Sequence, residues 1–366
     1  MPSAETIAPW APDWATHPGE HLAEFIEARG MSQAEFARLA GMTSKHISTI
    51  ISGENPVTAE SALRLERVTG MKDYIWTRLQ AAWDLHQARQ KERAKAEEWA
   101  NWCREFPIKE LVARGAIPDA RRDMGRQIES LLAFLGIGSP AAFQSLVRGL
   151  AVQHRQSRAY TTSDAHVVAW LLLGERKARA MDIAPFSKEV FLEAVREIRS
   201  LTVKSPSEFE PRMRRLCRDA GVALIFEKPV PKTCLFGSAR WLDDGRAVIQ
   251  MSLRMKSNDH FWWTFFHEAA HILLHHGRTF VDDKGGEGDG VEEEADAWAE
   301  ETLVGRRLFE AFKATRPCSA AEVTRFAADV GIHSGIVVGM LQHAGIVPHT
   351  HLNGLKARFA WADEVG

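Results

Sequence analysis

The stretch Phe261-Trp-Trp-Thr-Phe-Phe-His-Glu-Ala-Ala-His-Ile-Leu-Leu274 sets two histidines four residues apart in an apolar run with no proline or glycine up to His276. Such a run reads as a buried helix. On a helix, positions i and i+4 lie about one turn apart on one face, so His267 and His271 can turn a ring nitrogen toward one Zn²⁺. Glu268 lies beside that face, where a carboxylate can take a proton from a water activated by the ion. The pattern H-E-x-x-H therefore constrains both the local fold and its chemistry.

A third ligand has to come from elsewhere. His275 is another i+4 step on, but at ~1.5 Å of rise per residue it stands ~12 Å from His267 along the axis. One ion with bonds of ~2 Å cannot take all three histidines. The longer H-E-x-x-H-x-x-G-x-x-H pattern fails as well, because Leu274 occupies the glycine position. Downstream, Glu292-Glu-Glu-Ala-Asp296 offers carboxylates on a second expected helix, the E-x-x-A-D arrangement by which gluzincin-type zinc peptidases complete their ligand set. Glu292 is the preferred ligand, since Asp296 would lie one turn on and could accept the spare N–H of a zinc histidine. A rotated helix would put Glu293 or Glu294 there instead. The Gly-rich acidic stretch Asp282 to Gly290 reads as a mobile surface loop. His260, His275, His276 and His333 are open to the role of stabilising an oxyanion.

At 366 residues the chain is long enough for two or three domains. No apolar run approaches the ~20 residues of a membrane span, and Met1-Pro-Ser-Ala-Glu has no signal-peptide pattern. Four scattered cysteines without a C-x-x-C fit a reduced, cytoplasmic protein.

Residues 1–104 carry a second signal. An amphipathic stretch from His21 to Arg29 ends at Gly30. Ser32 caps a short helix, Gln33 to Ala40, with Glu35 placed as in a capping box. Gly41 makes the turn, and a third helix runs from about Thr43 to Ser52. A fourth, Ala59 to Thr69, carries Leu63, Leu65 and Val68. Two short helices joined by a glycine turn form a helix-turn-helix, which lays its second helix in the major groove. Ser44, Lys45 and Thr49 are then placed for base edges, and Gln33 for a phosphate with His46 assisting. The region's 12 Lys and Arg against 14 Asp and Glu do not give the basic footprint usual for DNA binding.

His17-Pro-Gly-Glu-His-Leu-Ala-Glu-Phe, Met31-Ser-Gln-Ala-Glu-Phe-Ala, Ile47-Ser-Thr-Ile-Ile-Ser-Gly53 and Glu60-Ser-Ala-Leu-Arg-Leu resemble the Xre-type helix-turn-helix of HigA-like antitoxins. The run from His260 to Leu274, Glu292 to Ala299, Gly335-Ile-Val-Val-Gly-Met-Leu-Gln-His343 and Leu352-Asn-Gly-Leu-Lys356 resemble the ImmA/IrrE family of metallo-endopeptidases. This second resemblance implies zinc held by His267, His271 and Glu292, with Glu268 as the base. It also implies site-selective cleavage of a repressor or other regulatory protein in a prophage, toxin–antitoxin or stress circuit. Ala269-Ala270 stands where Leu-Gly is usual, and Leu303-Val304-Gly305 where Leu-Met-Pro is common. Neither departure removes a ligand.

Between these regions, Tyr74 to about Cys103 and residues 108–200 read as helical. β-signals appear at Val222–Phe226, Leu235–Trp241 and Arg246–Ser252, with Asp244-Gly245 as a hairpin turn. The expected fold is a multidomain, mainly α chain with a small α+β part: a helix-turn-helix bundle (1–86), a helical middle (87–205) and a gluzincin-like zinc-peptidase domain (206–366) with a short antiparallel sheet. The expected partners are an inverted-repeat operator, bound by a homodimer, and a protein substrate such as a repressor or toxin–antitoxin component; no membrane is involved. A competing reading keeps the antitoxin-like regulator but has the metallopeptidase fold sense a ligand or bind a partner without significant proteolysis.

Overall fold

The structure, a computed structural model, describes residues 14–150, 163–275, 280–282 and 290–361. His276 and residues 283–289 of the expected loop lie outside the described residues. The chain divides into two compact units, Met1–Trp99 and Ala100–Gly366.

The first unit comprises α1 (Pro18–Ala28), α2 (Gln33–Ala40), α3 (Ser44–Ile51), α4 (Ala59–Thr69) and α5 (Asp73–Ala94). Local chemistry sets its boundaries. The Ser32 hydroxyl accepts from the Glu35 N–H while the Glu35 carboxylate accepts from the Ser32 N–H, closing the capping box. Gly41 ends α2 in the left-handed region at φ 62°, and Thr43 caps α3 through the His46 N–H. Leu22, Phe36, Ile47, Ile50, Leu65 and Trp76 form the core. Leu63 does not join it and remains exposed. The first helix starts at Pro18 and Gly19, ahead of the stretch expected from His21. A side chain at Gly19 would meet the Ile50 carbonyl at 2.1 Å, so glycine lets α1 cross the end of α3 closely.

The division falls within α6 (Ala96–Cys103). The second unit continues with α7 (Ile108–Ala113), α8 (Met124–Leu135), α9 (Phe143–Gly149), α10 (Asp164–Arg179), α11 (Lys188–Ser200) and α12 (Pro206–Asp219). Then come β1 (Val222–Phe226), β2 (Gly237–Trp241), β3 (Ala247–Met251), α13 (Asn258–Leu274), β4 (Phe280–Asp282), α14 (Val291–Leu303), α15 (Arg306–Ala314), α16 (Ala320–Val330) and α17 (Ser334–His343). Contrary to the sequence reading, one segment, Met124–Gly149, is long and apolar enough to span a membrane. The chain turns at Gly136 (φ 68°), however, and splits it into the short helices α8 and α9.

The sheet order is β1-β3-β2-β4. β2 and β3 pair antiparallel around the expected Asp244-Gly245 turn, and β4 pairs antiparallel with β2. The expectation of an antiparallel sheet fails at β1, which pairs parallel with β3. β1 and β3 are buried on both faces, which suits a strand covered by helices on each side. Val222, Leu224, Ala247 and Ile249 join the large core with α12 and α13, whereas Ala223, Ile225 and Val248 face Ala178 of α10. Gly174 admits the Gln250 side chain, whose amide donates to the Trp170 carbonyl, and buried Arg240 bonds to the Leu171 carbonyl and to Glu175 at 3.0 Å. The boundary expected at 205/206 therefore lies inside one unit, because α10 supplies a layer of it.

Candidate metal centre and nucleic-acid interface

The helix α13 is buried along nearly its whole length, and its first turn is fixed by the C-terminal residues. Lys356 Nζ donates to Asp259 Oδ2 at 2.6 Å and to Gln342 Oε1 at 2.7 Å. Asn258 accepts from the Ala357 N–H and bonds to His333 Nδ1. Gly335 and Gly339 allow α17 to approach, since a side chain there would strike Asn258 or Asp259 at 2.6 Å. Burial pushes the Asp259 carboxyl up, but the bonds from Lys356 and Ser257 and the charge of His260 outweigh it and hold the group below the usual aspartate range. His333 thus has a structural part at this end of α13.

One turn and more into the helix, three side chains converge. His267 Nε2 lies 3.0 Å from His271 Nε2 and 3.1 Å from Glu292 Oε2, and His271 Nε2 is 3.6 Å from that oxygen. These three residues offer ligand atoms within 4.8 Å of one another. Asp296 Oδ1 takes the far nitrogen of His267, Nδ1, at 2.9 Å. An ionised carboxylate only accepts, so neutral His267 carries its proton on Nδ1 and its lone pair on Nε2. That lone pair faces the Glu292 carboxylate, and such an arrangement asks for a cation. The donor set of two imidazoles and a carboxylate fits a metal ion. Burial pushes the His271 imidazole down, which favours its neutral, ligating form. Burial also pushes Glu292 up, but its contacts with both histidines dominate and hold its carboxyl well below the ordinary glutamate range.

Glu268 is fully buried on the adjoining face of α13. The first residue of β2, Gly237, makes room for it: a side chain there would lie 2.5 Å from Glu268 Oε1 and 2.8 Å from Thr264 Cγ2. Of the three consecutive glutamates, Glu293 is exposed, and Glu294 Oε2 reaches His275 Nε2 at 3.1 Å. His275 Nδ1 in turn faces His271 Nδ1 at 3.1 Å, on the side of that ring away from Glu292. The sequence puts Glu294 forward only as an alternative ligand on a rotated helix, not as a partner of His275. The only signal of its contact was the repeated histidine spacing. His260 stacks on Phe236 and lines a small cleft with Leu253, Arg254 and Thr264, up to two turns before Glu268.

In the first unit Gln33 opens α2 and is exposed, as are Ser44 and Lys45 at the start of α3. His46 is half-buried. The Thr49 hydroxyl donates to the His46 carbonyl at 3.0 Å and accepts from Asn55 Nδ2 at 2.7 Å. Asn55, which sequence reasoning missed, thereby ties the loop after α3 back to the helix.

Together the bundle and the two-histidine, one-carboxylate centre define a DNA-binding regulator joined to a metallopeptidase-like domain. Residues 22–75 match the helix-turn-helix family, and residues 217–341 match the IrrE N-terminal-like domain, a peptidase family. The chain is 33% identical over 81 residues to virulence-associated protein I of Dichelobacter nodosus, covering 22% of this chain and 75% of that protein. It is 32% identical over 71 residues to the uncharacterised HTH-type transcriptional regulator YddM of Escherichia coli (strain K12), covering 19% and 76%. A solved structure from Nostoc punctiforme, described as an antidote protein of a plasmid maintenance system, shares 30% identity over 23% of this chain and 92% of that one, with a TM-score of 0.23. The chain belongs to the helix-turn-helix family through its first unit and carries an IrrE-like domain in its second.

Proposed function

We propose that this protein is a cytoplasmic transcriptional regulator whose second unit is a zinc endopeptidase acting on a regulatory protein, such as a repressor or a toxin–antitoxin component. The observation that carries this reading is the convergence of His267 Nε2, His271 Nε2 and Glu292 Oε2 beside a fully buried glutamate. Ligand atoms ~2.0–2.1 Å from a tetrahedral zinc stand about 3.3 Å apart, and the separations of 3.0, 3.1 and 3.6 Å suit that spacing. Zinc held there would supply Lewis acidity toward a water and a peptide carbonyl. Glu268 takes the proton of the attacking water and passes it to the leaving amine. Asp296 orients His267 by accepting its Nδ1–H.

In the first unit, Ser44, Lys45 and Thr49 read base edges in the major groove while Gln33, with His46, positions a phosphate. A homodimer would meet an inverted repeat with half-sites about one helical turn apart. The test of the enzymatic part is to incubate zinc-loaded protein with candidate regulators encoded beside it. His267→Ala should lose zinc and cleavage together. Glu268→Gln should keep about one zinc per chain and lose cleavage, because that carboxylate is a base and not a ligand. If Glu268→Gln cuts as fast as the wild type, the peptidase mechanism is wrong.

A further inference from the structure

We propose that His275 and Glu294 form a relay that holds His271 in the tautomer able to bind the metal. The proposal rests on the metal-centre reading above and assigns a positioning role to two residues outside the ligand set. Glu294 Oε2 is 3.1 Å from His275 Nε2. An ionised carboxylate can only accept, so this nitrogen carries the proton of the neutral His275 ring. The other nitrogen, Nδ1, then bears a lone pair, and it faces His271 Nδ1 at 3.1 Å. For that contact to be a hydrogen bond, His271 Nδ1 must donate. Its Nε2 is then left with the lone pair, aimed where His267 Nε2 lies 3.0 Å away.

Each metal histidine thus has a carboxylate behind it. Asp296 serves His267 directly, at 2.9 Å. Glu294 serves His271 through one intervening imidazole. Helix geometry explains the device. The i+4 step from His271 brings His275 under its ring, and the start of α14 sets Glu292 against His267 and His271 and Glu294 against His275. His275 cannot also be a ligand to this ion, because it lies on the Nδ1 side of His271 whereas Glu292 lies on the Nε2 side.

The test is zinc affinity of the full-length protein, measured from the metal-free state by competition with a chromophoric chelator. Circular dichroism and thermal melting of each metal-free variant check folding. His275→Leu should weaken zinc by roughly 10–100-fold, and His275→Asn, whose amide oxygen can still accept from His271 Nδ1, should recover most of that loss. A more telling variant is Glu294→Lys, since Glu294 is an exposed residue whose replacement should not disturb folding. A lysine there donates to His275 Nε2, which reverses every tautomer in the relay and puts the proton on His271 Nε2. Glu293→Lys changes the charge equally, one residue away, without touching the relay. Glu294→Lys should therefore weaken zinc at least about tenfold, and Glu293→Lys no more than about threefold. Equal effects of the two lysines, or a His275→Leu protein that binds zinc within about twofold of the wild type, would overturn the relay. Were His267→Ala to bind zinc as the wild type does, the metal centre would fall, and the relay with it.

Discussion

Two residues decide how the centre divides its labour. Glu292 faces both histidines, whereas Glu293 is exposed and adjacent helical positions differ by ~100°. Glu292→Ala should therefore cripple zinc binding, Asp296→Ala should cost roughly 10–100-fold, and Glu293→Ala should change little in the same titration. A crippled Glu293→Ala protein would reassign the ligand. Gly237 has the complementary role, because it leaves the space that the Glu268 carboxylate fills. Gly237→Ala has nowhere to put its methyl group except against that carboxylate and Thr264 Cγ2. The expected result is a protein that binds zinc like the wild type but cleaves about 100-fold more slowly, the scale of a small misplacement of a reacting group. Loss of zinc in parallel would mean that β2 positions the ligands instead.

At the scale of elements, the start of α13 depends on a buried ion pair. Burial opposes ionisation of Asp259, but the bond from Lys356 leads the groups that outweigh it, so its folded value lies below the unfolded one of about 3.9. Stability from this group is fully present above the unfolded value and is lost as pH falls through the folded one. Lys356→Met strands the carboxyl in a buried place, where desolvation raises its pKa instead and makes it a burden at neutral pH. The metal-free variant should be less stable at pH 7 by about 3–5 kcal/mol, with the deficit shrinking as pH falls toward 4. Denaturant unfolding of both proteins across that range checks this, and a deficit independent of pH would remove the ion pair as its cause. What could be read in advance follows the same local logic. Ser32, Glu35 and Gly41 announce α2 because a cap is settled within four residues, and Asp244-Gly245 announces its hairpin in the same way. The parallel seat of β1 beside β3, the layer supplied by α10 and the contact of Glu294 with His275 join residues far apart in sequence. No short-range signal encodes the first two, and the third shows only in the i+4 spacing of His275 from His271. Gly19 belongs with these, because the Ile50 carbonyl it admits comes from another helix.

At the scale of the whole chain, the two compact units carry separate hydrophobic cores, one around Leu22, Phe36 and Trp76 and the other around Phe265, Phe266 and Ile249. Among the described residues the two clusters have no member in common, so unfolding should proceed in two steps rather than one. Each proposed ligand should then act on its own step. Zinc at 100 times its dissociation constant should raise the stability of residues 100–366 by about 2.7 kcal/mol and leave the other transition in place. Operator DNA should raise only the transition of the first unit, and Lys45→Ala should reduce that rise without touching the response to zinc. Leu22→Ala, at a fully buried position, should lower the first transition by about 2–5 kcal/mol. Differential scanning calorimetry of the full chain, with each ligand added alone and then together, reads all of these at once. A single transition that zinc and DNA both shift would mean that the two units unfold as one, and that metal occupancy is energetically coupled to operator binding.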